Sequence, residues 1–386
     1  MNSLFTLQYK KVFKNNLTLI SLCLLLMISF SILYMNAKLA NGDLSTKQEL
    51  QGNIALQKKA ILEDKIALKK YANNSDGYKI TNKALKQTQI LLKSNQYLLN
   101  QINKNNWQPF YKSQLLKKSN NGLKSIDRDR LHEIKLRFSY LAKHPIPYEN
   151  DAPTSGFQFI LNLHEQYWPT LVTLVITFIL VELYTSSYHN RLDSSSLLPL
   201  SNTKKLLTNT IVGWTVCLTI SFVLNLLVFS ATSLLFGTGN IKYPEIIHIV
   251  VKGKSVPAIT LLIDLIPKTV ILELLEFFFI TILIQIVSKI FRRQLTTLFF
   301  TILLLLGLSL STTVIVPLGK IAQWLPSTYL SSLEVVKGNT AFSLGNTNIN
   351  FNSGLVTLIS SSFLLLFFLV IIDHFLSAKK KNGGNI

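Results

Sequence analysis

Two carboxylates inside an apolar run are the first residues of this chain that point to chemistry. Glu273 and Glu276 stand at i and i+3, so a helix places both on one face. Ionisable side chains are costly in hydrocarbon, and within a span they mark function by default. Their shared face would meet a cationic substrate or pair with a neighbouring helix; the other reading puts them near the outer interface, where hydration is cheap. Glu182 closes an earlier apolar run, either within reach of Arg191 or the Lys204-Lys205 pair, or as a plain interfacial carboxylate. Gly253-Lys254-Ser255 resembles the end of a phosphate-binding loop. The full pattern requires a glycine five residues earlier, and that position is His248, so no cradle of backbone amides is expected. His132-Glu133 and His164-Glu165 lack the second histidine of a zinc-protease helix. Asp373-His374 reads as an interface pair rather than a proton relay. Cys23 and Cys217 both lie in apolar runs, too few for a disulfide framework or a zinc site. The residues point to no catalytic machinery, no metal and no cofactor.

The elements that must carry these residues follow from composition. The 386 residues are 48% hydrophobic and only 15% charged, well below the roughly 25% charged of a soluble domain. The deficit is concentrated in six runs near the ~20 residues that cross a bilayer. They lie at 16–36, 168–186, 207–236, 268–288, 295–316 and 354–376. The expected fold class is therefore an all-α integral membrane protein with six transmembrane helices. The first run has no charged residue between Lys14 and Lys38 and is too long for a signal-peptide core, so it reads as a retained signal anchor. The third contains Asn225, which suggests a tilted or broken helix. A net charge of +20 would suit nucleic acid, but no recognition motif accompanies it, and that class is set aside.

Short basic loops set orientation. Lys10, Lys11 and Lys14 precede the first run, and Arg191, Lys204 and Lys205 lie between the second and third. Lys289, Arg292 and Arg293 separate the fourth and fifth, and Lys379, Lys380 and Lys381 follow the sixth. All four clusters fall on one side, which predicts cytoplasmic termini; richness in Lys, Asn and Ile with few cysteines suggests a bacterial plasma membrane. Residues 37–165 hold 21 Lys+Arg and 11 Asp+Glu, yet a segment longer than about 60 residues translocates largely regardless of charge. A large helical extracytoplasmic insert is therefore expected between the first two spans, with domain bounds 1–36, 37–167 and 168–386. Ile54, Ile61 and Leu68, then Ala84, Leu91 and Leu98, predict a helical hairpin over 45–105 turning at 73–77. A third helix is expected at 112–143, ended by His144-Pro145-Ile146-Pro147. Glycines and prolines in 237–267 predict a broken, re-entrant or interfacial segment. Trp324 and Tyr329 suit the headgroup level.

The basic amphipathic start (Leu4 to Lys14), the outer insert, and Glu182, Arg191, Leu197-Leu198-Pro199-Leu200-Ser201 and Lys204-Lys205 after the second span form an ensemble. Together with Leu325-Pro326-Ser327-Thr328-Tyr329 before the last span, it resembles the permease subunits of ABC-2 type ABC transporters, in the six-span exporter class. The resemblance implies two permease subunits, identical or different, paired in the lipid bilayer and driven by a separate ABC ATPase. It implies that 187–206 is the cytoplasmic coupling loop. Leu197, Leu198 and Leu200 would offer apolar contact to the ATPase, and Pro199 would fix the bend. Glu182, Arg191, Lys204 and Lys205 would set the approach to the ATPase or the anionic inner leaflet. Here Asn202-Thr203 separate the Pro-Leu-Ser element from Lys204. The cargo would be a peptide, bacteriocin, lipid or drug, with Glu273 and Glu276 on its path. Two other readings stand beside it: a membrane-anchored sensor or interaction protein using its outer helical domain, and an ion-coupled transporter using Glu273 and Glu276.

Overall fold

Backbone amides cannot stay unpaired in hydrocarbon, so long uncharged runs close their hydrogen bonds internally as helices. A computed structural model of the protein describes residues 2–41, 46–72, 75–119, 126–149, 152–189, 192–193, 201–251 and 253–382. The described chain starts with α1 (Asn2–Lys14) and turns at Asn15 into α2 (Asn16–Asn41), the first of six helices long and apolar enough to cross a membrane. Next come α3 (Thr46–Lys70), α4 (Asp76–Asn103), α5 (Gln108–Ser119), α6 (Ile126–Lys143) and α7 (Gly156–Gln166). The second apolar helix is α8 (Trp168–Thr185). A two-residue strand pair, β1 (Tyr188–His189) and β2 (Leu192–Asp193), separates it from α9 (Asn202–Phe236), the third. An antiparallel hairpin of β3 (Pro244–Val251) and β4 (Lys254–Leu261) runs straight into α10 (Leu262–Phe291), the fourth. The fifth is α11 (Gln294–Ile302), continued through a π turn at Leu303–Gly307 into α12 (Leu308–Val314). Short helices α13 (Val316–Ile321), α14 (Ser332–Lys337) and α15 (Asn339–Leu344) precede α16 (Phe351–Asn382), the sixth.

The six helices fit a multi-pass membrane protein, and each coincides with one of the expected runs. Helix α10 is the hub, packed against α8, α9, α11, α14 and α16. Its Leu272, Ile280 and Ile284 share a buried core with Ile176, Leu180 and Val216. Gly213 sets how closely three helices meet. A Cβ there would stand 1.9 Å from Tyr184 Oη on α8 and 2.8 Å from Thr281 Cγ2 on α10, so a small residue is required. Thr210 Oγ1 donates to Gln285 Oε1 at 2.7 Å just beside it, and Trp214 Nε1 donates to the Leu274 carbonyl at 2.9 Å. Asn225 does not break α9; its Nδ2 donates to the Ser221 carbonyl one turn back, and the helix continues through it.

Basic residues collect at one end of this bundle. Lys11 Nζ donates to Ser186 Oγ at 2.9 Å, the Arg292 guanidinium lies 5.9 Å from the Tyr188 ring centroid, and Lys289 pairs with Asp373. The contacts join the end of α1 to the end of α8, and the end of α10 to β1 and to α16.

The region between α2 and α8 departs from expectation. Helices α3 and α4 form the hairpin expected over 45–105. The single helix expected at 112–143 is instead two: α5 and α6 pack side by side, with Phe110 and Tyr111 against Phe138 and Gln108 Nε2 donating to the Ala142 carbonyl at 3.1 Å. Asn120-Asn121-Gly122, turn-favouring residue types passed over in a long helical pattern, lies outside the described residues. One large insert over 37–167 is also not supported as a unit. Phe159 and Leu163 of α7 are buried in the core shared by α8, α9 and α10, so α7 belongs with the bundle.

Two further segments differ. The all-α expectation gives way at β3–β4. Five β-branched residues between Glu245 and Lys252 suit a strand, and Gly253 at φ 74° takes the left-handed turn conformation. The remnant Gly253-Lys254-Ser255 therefore forms a turn and strand start, with no helix N-terminus to hold a phosphate. Pro267 does not end the outer segment either. Helix α10 begins five residues before it, where the Leu262 and Ile263 amides donate to the Tyr243 and Ile241 carbonyls at 3.1 Å. Tyr329 is no headgroup anchor. It is fully buried, its hydroxyl donating to the Gln323 carbonyl at 2.9 Å, whereas Trp324 is exposed.

Candidate functional site

The two carboxylates read from the sequence meet partners on other helices. Glu273 Oε1 lies 2.8 Å from His164 Nδ1 of α7. The other ring nitrogen, Nε2, lies 3.0 Å from Asn225 Oδ1 of α9, and the ring packs on Trp168 at 4.9 Å. Glu276, one turn further along α10, is only 3% exposed and accepts from Ser332 Oγ at 3.2 Å. It is buried among helices, not hydrated at an interface. The i, i+3 spacing thus aims both acids at the seam where α7, α9 and α14 approach α10.

Beside this cluster the bundle is hollow. Helices α9 and α10 touch closely from Thr210 to Cys217 and separate beyond it, leaving a cleft of about 540 Å³ backed by α7. That volume is in the range of small-molecule sites, roughly 300–1,000 Å³. Leu161, Phe229, Leu262, Ile266 and Phe277 make its walls apolar, and His164, Ser221, Asn225 and Glu273 form one polar corner. A narrower crevice continues from the corner to Glu276 and Ser332.

The second group of expected site residues lies at the basic end. Glu182 is engaged by Asn15, whose Nδ2 donates to its Oε1 at the corner between α1 and α2. Its other oxygen is buried without a hydrogen-bond partner among the described residues. Lys204 is exposed in the first turn of α9, where Ser201 caps the helix by accepting the Lys204 amide at 3.4 Å. Lys205 is buried in the next position. Arg191, Leu197, Leu198, Pro199 and Leu200 lie outside the described residues. Helix α1 adds partners that the sequence reading did not name: Gln8 Nε2 donates to Asn209 Oδ1 at 2.7 Å, and Tyr9 Oη to Thr219 Oγ1 at 2.9 Å. Phe5, Tyr9 and Phe13 stack along one face of α1 at i, i+4 spacing and pack on the core.

A third polar cluster stands at the opposite end. Lys337 of α14 is buried, 2.8 Å from Glu165 Oε1 on α7 and 3.3 Å from Glu245 Oε2 on β3. Its neighbour Gly338, at φ 76°, lets β3 approach so closely that a Cβ would stand 2.1 Å from the His248 carbonyl oxygen. His248 in turn stacks on Phe342 at 4.4 Å and lies 3.6 Å from Glu133 of α6. Burial pushes the Lys337 ammonium down, but the carboxylates of Glu245 and Glu165 outweigh it and hold it above the usual lysine value. Burial and the neighbouring Glu165 push the Glu334 carboxyl up to about 7, against the opposing pull of Lys337 and Asn339. A carboxyl raised in the folded state gives stability that is complete below its unfolded value and lost as pH rises through the folded one. Thermal unfolding should therefore occur at lower temperature at pH 8 than at pH 5. Glu334→Gln, which cannot ionise, should flatten that part of the profile, on the order of 1 to 3 kcal/mol across the window. An unchanged slope in the variant would remove Glu334 from the account.

Among the described residues no group of three or more His, Cys, Asp or Glu side chains is placed to hold a metal ion. His164 was missed as a site residue because its partners are distant in sequence; an imidazole, an amide and a carboxylate in neighbouring apolar helices are its only sequence signal. Comparison with protein-family models, with curated proteins and with solved structures gave no match.

Proposed function

We propose that this chain is the membrane-spanning permease subunit of an ATP-driven exporter of the ABC-2 type. Its termini and the 187–206 loop face the cytoplasm, and α3 to α6 with the β3–β4 hairpin stand outside. A second permease subunit completes the pathway, and a separate ABC ATPase supplies the energy.

The observation that carries this reading is the seat of α1. It joins Lys11 to Ser186 and Asn15 to Glu182 at the end of α8, and Gln8 to Asn209 near the start of α9. These two helix ends bracket the 187–206 loop. A force applied to that loop therefore reaches α8, α9 and, through the Asn15 corner, α2 together. The gathering of Lys11, Lys289 and Arg292 at this end supports a cytoplasmic placement by the positive-inside rule. Adaptor-like binding alone would need neither six spans nor a strap joining the ends of α8 and α9.

The test is to express the tagged chain in its native cells and isolate it together with any ABC ATPase bound to it. The two should purify together in mild detergent, and the complex should hydrolyse ATP. Purification of the chain free of any ABC ATPase would contradict the proposal.

A further inference from the structure

The cleft between α7, α9 and α10 has a one-sided chemistry. Apart from the Ser221 hydroxyl, every donor at its polar corner is committed. His164 Nδ1 faces Glu273 Oε1, His164 Nε2 faces Asn225 Oδ1, and Asn225 Nδ2 donates to the Ser221 carbonyl. What remains is acceptor capacity. The second carboxylate oxygen of Glu273 has no hydrogen-bond partner among the described residues, and Glu276 lies beyond it in the same crevice. An anionic head, such as a phosphate or carboxylate, would find only the Ser221 hydroxyl as a donor here and would meet the Glu273 carboxylate. A head that donates hydrogen bonds and carries positive charge is matched. The remaining walls are almost wholly apolar, and the flanking Phe222, Leu226 and Val270 are 67%, 51% and 46% exposed on the outer surface of α9 and α10. The cleft is thus reached sideways, across helix faces that suit lipid.

We propose that this cleft binds a single-chain amphiphilic amine, its aliphatic body against α9 and α10 and its ammonium on Glu273. As a station on an export path this rests on the exporter reading; the binding itself does not. His164 acts as a positioning residue, holding the Glu273 carboxylate at the corner through one oxygen while the other meets the ammonium. Leu226, on the outward face of α9, marks the mouth.

The test uses the full chain alone in phosphatidylcholine nanodiscs, without an ATPase. The probes are a long-chain alkylamine carrying a diazirine in its tail and the matching alcohol, with cross-linked peptides mapped by mass spectrometry. The amine should label residues 218–229 and 262–274, and dodecylamine should compete. The alcohol should label these peptides about tenfold less, because it forfeits a charge-assisted hydrogen bond. Glu273→Gln, close in shape, should reduce amine labelling about tenfold and leave alcohol labelling unchanged. Leu226→Trp, a surface change that leaves folding intact, should reduce both. Equal labelling by amine and alcohol, labelling spread evenly over the exposed faces of α2, α11 and α16, or no response to either variant would overturn the proposal. Labelling that survives while ATPase co-purification fails would strike the exporter reading and leave the cleft standing. The reverse result would strike the cleft alone.

Discussion

Replacing Lys337 by Met should destabilise the protein by about 3–5 kcal/mol, seen as a lowered unfolding midpoint of the detergent-purified chain at neutral pH. Lys337 is 5% exposed and lies between Glu165 and Glu245, itself 7% exposed. Met matches the aliphatic stem but leaves two carboxylates facing each other without a cation. Breaking a buried pair by removing one partner costs far more than the pair contributed when intact, because the remaining charge stays desolvated. The site also joins three pieces of the fold, since Glu165 is on α7, Glu245 on β3 and Lys337 on α14. Neutralising an acid in the same background, as in Lys337→Met with Glu245→Gln, should recover part of the loss, a non-additivity of about 0.5–3 kcal/mol expected for residues in one network. A single variant within about 0.5 kcal/mol of the parent, the range of ordinary surface substitutions, would show that these ions are solvated in the working protein.

The Leu197→Asp and Leu198→Asp double variant should abolish co-purification with the ATPase while leaving the chain folded. Fully burying each leucine contributes about 1.5–3 kcal/mol, so losing two at one docking surface weakens binding at least about a hundredfold. Both residues lie outside the described part of the chain, between β2 and the Ser201 cap of α9. The prediction rests on their apolar character in an otherwise polar loop and on the strap of α1 over the helix ends that bracket it in sequence. Folding of the variant is checked by its elution as a single species and by an unchanged unfolding midpoint. ATPase binding that survives the double change would remove these leucines from the coupling surface.

The apolar helices were legible because their signal is local: a run of about 20 residues without charge needs no partner to be recognised. The α3–α4 hairpin was legible for a similar reason, with spaced apolar positions on either side of Asn73-Asn74-Ser75-Asp76-Gly77. What failed depended on long-range contact. The β3–β4 hairpin reads as a broken segment because Ile246, Ile247, Ile249, Val250 and Val251, interrupted only by His248, show no apolar–polar alternation to separate strand from other structure. Pro244 and Pro257 look like breakers, yet they sit at the first residue of β3 and within β4, positions that an isolated two-stranded ribbon tolerates. Tyr329 was placed at the headgroups on residue type alone, whereas Gly354 leaves room for its ring inside the bundle.

The candidate sites divide in the same way. Glu273 and Glu276 were visible as costly charges in an apolar run. Their partners His164 and Ser332 were not, because α7 and α14 come to α10 only through the fold. Glu182 was visible at its helix end, but the residue that engages it, Asn15, looked like an ordinary turn between two helices. The cleft had no sequence signal. It exists because α9 and α10 are held together near Gly213 and diverge from Leu218 onward, a property of helix crossing rather than of any one residue.

The most direct measurement of the central claim is site-specific cross-linking from position 198 in the protein's native cells, with adducts screened for an ABC ATPase. A photoreactive amino acid at that position should give an adduct with the ATPase, and a cysteine there should be shielded from a membrane-impermeant thiol reagent added outside. Labelling of the cysteine from outside, with no ATPase adduct, would contradict both the cytoplasmic placement of the loop and its role as the surface through which this protein is driven.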